Sequence, residues 1–124
     1  MCVLIADLHV KSVQDALLES TVSCLIEISS TPLALSDPFY HSRDIAQVHA
    51  VNILRVLVQD SSLVTAISRY YAALTMQALN GFTSPIWAVR NASLQLLGYC
   101  LSAFFLSIWF LILSISWTRT TSSL

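Results

Sequence analysis

Along the first quarter of the chain, polar and apolar positions alternate with a period close to four. Asp15, Glu19, Ser23 and Glu27 make one wet stripe, and Leu17, Leu18, Val22, Leu25 and Ile28 lie on the other side. This is the pattern of an amphipathic helix over residues 12–29. Thr31-Pro32 ends it, because proline disfavours helix in the residue before it. Residues 30–42, with Pro32, Asp37-Pro38 and several serines, read as a loop. A second helix is expected over 43–60, with Asp44 as its cap and Gln47 in the capping-box position. Its apolar residues cover most of the circumference, and only His49, Asn52, Arg55 and Gln59 form a narrow polar stripe. A helix of that kind is sandwiched between neighbours.

A third helix is expected over 63–79, with Ile67, Tyr71, Leu74 and Ala78 on one face and Asn80-Gly81 as a left-handed stop. Ser84 then supplies an N-cap and Pro85 a first helical residue. The fourth helix continues through Trp87, Val89, Leu94 and Leu97. The expectation is an all-α fold of antiparallel helical hairpins, about four main helices, stacked as in an α-solenoid. No sequence repeat is visible along the chain, so the solenoid reading does not come from self-similarity.

Charge changes this picture in one place. Only 10% of residues are charged against 56% hydrophobic, where a soluble domain carries about 25% charged residues. All seven acids lie at or before Asp60, and beyond it only Arg69, Arg90 and Arg119 are charged. Neither half is basic enough to argue for nucleic-acid binding by electrostatics alone. The run from Cys100 to Trp117 carries no charge and, with Leu94 to Tyr99, exceeds the ~20 residues that span a bilayer. Trp117 sits where an interfacial anchor would. The chain is therefore read as a helical repeat unit over 1–98 and an apolar C-terminal helix over 99–124. Three readings of the second part stand open: a membrane-spanning anchor, an end of unrelated origin, or a last solenoid helix awaiting further repeats.

Little in the chain suggests chemistry. Cys2, Cys24 and Cys100 form neither a CxxC nor a Cys/His pattern, which leaves buried or free thiols and no metal site. His9, His41 and His49 are scattered, and no nucleophile–base order, glycine-rich phosphate loop or carboxylate pair is present. No catalytic residue and no cofactor site is expected. The short apolar stretch from Cys2 to Ala6, with no basic residue before it, does not read as a convincing signal peptide. Asn91-Ala92-Ser93 matches a glycosylation triplet but falls inside a predicted helix, which argues against its use.

Two segments carry a family resemblance. One is Gln47-Val48-His49-Ala50-Val51-Asn52-Ile53-Leu54-Arg55, followed by Asp60-Ser61-Ser62-Leu63. The other is Gly81-Phe82-Thr83-Ser84-Pro85-Ile86-Trp87-Ala88-Val89-Arg90-Asn91. In sequence, order and separation they resemble the thyroid adenoma-associated protein family over about residues 40–98, with a weaker match at Leu25-Ile26-Glu27-Ile28-Ser29. The resemblance implies a fragment or truncated member of a family of large HEAT/armadillo-like solenoids. It implies a non-catalytic partner of a tRNA ribose 2′-O-methyltransferase that modifies position 32 of the anticodon loop. S-adenosylmethionine would belong to the partner enzyme, and tRNA would be met within the complex. The implied location is cytoplasmic, with membrane association through 99–124 as the alternative. Trp87, Arg90, Asn91 and Arg55 are the candidate contacts to partner or RNA. Against these stand structural roles: Trp87 as a core aromatic, Arg90 and Asn91 as a hydrogen-bond bracket, and Arg55 as a tie to the next loop.

Overall fold

The structure, a computed structural model, describes residues 2–32 and 40–122. Five α-helices account for most of them: α1 (Cys2–Ser30), α2 (Tyr40–Gln59), α3 (Val64–Ile67), α4 (Tyr71–Gly81) and α5 (Trp87–Ser122). A single 3₁₀ turn, Ser68–Tyr70, joins α3 to α4. No strand occurs among the described residues, and the fold is all-α.

Several boundaries differ from expectation for identifiable reasons. With no proline or glycine before Pro32, nothing stops α1 from extending back to Cys2. Helix α2 begins at Tyr40, so Asp44 lies inside the helix and is not its N-cap. Of the expected loop over 30–42, residues 33–39, including the Asp37-Pro38 turn, lie outside the described residues. The single third helix is interrupted at Ser68, whose hydroxyl donates to the Thr65 carbonyl at 2.8 Å. A local bond of this kind competes with regular helix and favours a tighter turn.

At the start of α5 the Ile86 carbonyl accepts the Arg90 N–H at 3.2 Å, which makes Ile86 the capping residue and puts Pro85 outside the helix. Ser84 serves the turn before it, accepting the Ile86 N–H on its hydroxyl at 3.2 Å. Gly81 is not a left-handed stop either, because no glycine has positive φ. Its role is close approach. A Cβ at Gly81 would run into the Ser93 hydroxyl and lie 2.7 Å from Ser93 Cβ.

Helices α1 and α2 form one antiparallel hairpin, and α4 and α5 form another. The second helices of the two hairpins, α2 and α5, pack side by side. The buried positions show a regularity that the residue types conceal. On α2 they are Gln47, Ala50, Val51, Leu54 and Val58; on α5 they are Val89, Ala92, Ser93, Leu96 and Cys100. The spacing is the same in both helices, position for position. The first helices show a similar spacing at a longer interval of about fifty residues: Val22, Leu25 and the half-buried Ile26 on α1 answer to Leu74, Gln77 and Ala78 on α4. The interval between the α2 and α5 sets is about forty residues, the length of one two-helix repeat in HEAT-type solenoids.

At the corner between α2 and α3, Asp60 accepts the Ser62 N–H at 2.9 Å and the Ser62 hydroxyl at 2.6 Å. These bonds hold its carboxyl below the ordinary aspartate range. The contribution of this corner is complete above the midpoint of an unfolded aspartate. It fades as pH falls through the lowered native one. A carboxyl-detected NMR titration is expected to place the Asp60 midpoint below that of an aspartate in an unstructured peptide, and a midpoint at or above it would contradict this geometry.

The two glycines give predictions of opposite sign. Gly98 lies on the exposed side of α5, with nothing within 4 Å of the point where a Cβ would stand. Gly98→Ala is expected to stabilise the chain by about 0.5–1 kcal/mol through helix propensity. Gly81→Ala forces Ser93 and the α4–α5 crossing apart and is expected to cost about 1–3 kcal/mol. Denaturant unfolding followed by far-UV circular dichroism distinguishes the two, and equal shifts would contradict the close crossing.

Candidate functional site

Four chain segments converge at one end of the two hairpins: the C-termini of α1 and α4, the α2 residue Gln47, and the loop entering α5. Between them lies a cleft of about 330 Å³ lined by Ser30, Gln47, Gln77, Asn80, Ser84 and their neighbours. Two buried glutamines organise it. Gln47 Nε2 donates to the Thr31 carbonyl and so ties the end of α1 to α2. The Ser30 hydroxyl shares its proton between the Ile26 carbonyl at 2.6 Å and Gln77 Oε1 at 2.8 Å, which ties the same end to α4. A buried amide is tolerated only where it finds such partners. Neither glutamine carried a functional signal in the sequence, where Gln47 reads as part of a capping box and Gln77 as an ordinary helical residue.

The candidate residues fall at two places. Trp87, Arg90 and Asn91 share one face of the first turn of α5, three and four positions apart. Val89, between them in sequence, faces the other way and lines the cleft. Arg55 is on α2, two helical turns beyond Gln47 and about 12 Å along the axis. The fold does not bring it to the other three.

Trp87 is 69% exposed, so it is not a core aromatic. An indole left open at the start of a helix is available to a partner surface. Arg90 is half-buried, and its Nη1 donates to the Ser84 carbonyl at 2.8 Å, pinning the loop to the helix it precedes. Asn91 is half-buried on the same face. Ser93 is buried against Gly81, and its hydroxyl has no hydrogen-bond partner among the described residues. The Asn91-Ala92-Ser93 triplet therefore lies inside a packed helix. Arg55 is half-buried with Nε enclosed and also unpartnered among the described residues.

The chemistry of this end is hydrogen bonding by amides and hydroxyls, none of which exchanges protons near neutral pH. Among the described residues no three His, Cys, Asp or Glu side chains come together. The buried thiol of Cys100 is pushed above the usual range by burial, which keeps it protonated and unreactive.

Arg90 and Arg55 are expected to respond differently to truncation. Arg90→Ala removes the tie to Ser84 and should lower stability by about 1 kcal/mol. Arg55→Met removes an unpartnered buried Nε while keeping the aliphatic stem, and is expected to be neutral or stabilising. Denaturation midpoints of the two variants check this, and a larger loss at Arg55 would contradict it.

Comparison with known proteins agrees with the sequence motifs. Residues 1–88 match the family described as THADA/TRM732, DUF2428. The chain is 42% identical over 89 residues to the tRNA (32-2′-O)-methyltransferase regulator THADA of Gallus gallus, which covers 72% of this chain and 4% of the relative. It is 53% identical over 49 residues to the regulator of the same name from Mus musculus, covering 40% of this chain and 2% of the relative. The tRNA (32-2′-O)-methyltransferase regulator trm732 of Schizosaccharomyces pombe is 29% identical over 86 residues, covering 69% of this chain and 6% of the relative. The chain thus spans only a few per cent of the length of these relatives. No solved structure matches it significantly.

Proposed function

The chain belongs to the THADA/TRM732, DUF2428 family, and from that premise we propose that it is a non-catalytic scaffold segment serving a tRNA ribose 2′-O-methyltransferase. The observation that carries the reading is the family match over residues 1–88, which takes in both quoted motifs up to Ala88. Relatives of the chain are named as tRNA (32-2′-O)-methyltransferase regulators. In this reading the chain supplies surface and orientation, and the partner enzyme supplies S-adenosylmethionine and the chemistry. The compartment is the cytoplasm, where the tRNA substrate is met within the complex.

The two hairpins with matching burial support an assignment as two consecutive repeats of a HEAT/armadillo-like solenoid, occupying residues 1–98. The amide-lined end of the repeats, the open indole of Trp87 and the half-buried Asn91 form the contact surface, with Arg90 holding that turn in place through the Ser84 carbonyl. Arg55 is a separate contact, reached through the part of its half-buried side chain that stays open to solvent.

Co-purification of the tagged chain with the methyltransferase tests this. Trp87→Ala is expected to reduce recovery of the enzyme about tenfold or more, the loss typical of an interface hot spot. Because Trp87 is exposed, its denaturation midpoint should stay within about 0.5 kcal/mol of the parent. Unchanged recovery by Trp87→Ala and Arg55→Ala would contradict the assigned surface. Methyl transfer by the isolated chain would overturn the non-catalytic reading.

A further inference from the structure

The repeat register accounts for α5 only as far as Cys100. Its counterpart on α2 is Val58, and α2 ends one residue later at Gln59. Helix α5 continues without a break through Gly98 to Ser122. The family match ends earlier still, at residue 88. Leu101–Ser122 is therefore an addition to the repeat, and neither the packing of the two hairpins nor the family resemblance explains it.

This extension differs in kind from a repeat helix waiting for a neighbour. A repeat helix buries one or two faces and keeps a polar one. Here every residue from Phe104 to Ser122 is exposed, and the large apolar side chains Phe105, Leu106, Trp109, Phe110, Leu111 and Ile115 are distributed around the axis. No charge interrupts it before Arg119. A partner groove covers one face of such a helix and leaves the others wet. Hydrocarbon covers all of them at once.

We propose that residues 101–118 span a lipid bilayer. The dimensions agree. Tyr99 and Trp117, both exposed, stand about 27 Å apart along the helix, close to the ~30 Å of a hydrocarbon core, and each takes the place of an interfacial aromatic. Arg119 follows Trp117 and reaches the far interface. Inside the span the backbone is satisfied by the helix itself, as lipid requires. Four of the five hydroxyls in the span are satisfied in the same way: Ser102 donates to the Gly98 carbonyl at 2.8 Å, Ser107 to Ala103 at 3.0 Å, Ser114 to Phe110 at 2.9 Å and Thr118 to Ile115 at 2.9 Å. The two hairpins then sit against one membrane face, with the α2–α3 corner (Val58, Gln59, Ser61, Val64) facing Ser102, Leu106 and Phe110 at the near end of the span across a cleft. The span is assigned independently of the scaffold reading, because it contains no residue of the family match.

The full chain, synthesised in the presence of phosphatidylcholine vesicles, tests the assignment. It should float with the vesicles and resist carbonate extraction. Leu111→Arg, at an exposed position away from the hairpin core, should abolish both, whereas Thr121→Arg beyond the span should leave both intact. Depth is read separately by lipids brominated near the chain ends or near the headgroups. With Trp109 as the sole tryptophan (W87F/W117F), deep bromines should quench it more strongly than shallow ones. With Trp117 as the sole tryptophan (W87F/W109F), the order should reverse. A chain that stays soluble, assembles into defined oligomers without lipid, or shows the same quenching depth at both positions would overturn the assignment.

Discussion

The buried seam between α2 and α5 is the contact on which the rest of the molecule depends. Leu54 and Leu96 are fully enclosed, Val51, Val58, Ala92 and Cys100 extend the seam, and Ile67 and Leu74 close it from the side of α3 and α4. Each hairpin alone would bury only one face of each helix. Stacking the second helices side by side removes the remaining apolar stripe from water and joins two local units into one core. Small residues set how near the helices come. Ala50, Ala78 and Ala92 lie in the core, and Gly81 lets α4 approach Ser93 without a side chain between them. Large-to-small changes in such a core leave cavities, and small-to-large changes push helices apart, so both are felt across the whole unit.

The same seam fixes where the polar end of the molecule lies. Because α1 and α4 run antiparallel to their partners, their C-termini meet the beginnings of α2 and α5. Helix C-termini leave carbonyls without intrahelical partners. Gln47 answers that need from inside the bundle by donating to the Thr31 carbonyl, while Gln77 accepts the Ser30 hydroxyl and ties the same end to α4. Arg90 answers it at the loop, through the Ser84 carbonyl. The contact surface assigned to this end is thus framed by groups that first serve the fold. Trp87 is the exception, since its ring packs on nothing comparable and remains 69% exposed.

Much of this was legible in the residues, and the gaps have physical causes. The four-residue period of acids placed α1, and the wrap-around apolar pattern of α2 announced a helix packed on several sides. The motif residues 47–55 and 81–91 carry the family resemblance by themselves. Periodicity failed where residue type and environment part company. Trp87 and Leu94 look like core residues but face outward, while Ser93 and Gln77 look like surface residues and are buried. The repeat was invisible in the letters because Gln47 answers to Val89 and Val51 to Ser93; only the burial is repeated. Gly81 could be seen as punctuation, but its true constraint is the proximity of α5, which no local pattern encodes. Arg55 shares a motif with buried α2 residues, yet sequence proximity did not reveal its distance from the start of α5.

Helix α5 links the two halves of the molecule, since its first part is core and its second part is exposed. Hydrogen exchange across the whole chain, reported by mass spectrometry in detergent, tests whether the α2–α5 seam is the common support. If it is, amides of residues 48–58 and 90–100 exchange together, with the same opening free energy and the greatest protection outside any detergent-covered segment. Separate, unequal opening of α2 and of the first half of α5 would contradict it, and would reduce the two hairpins to independent units.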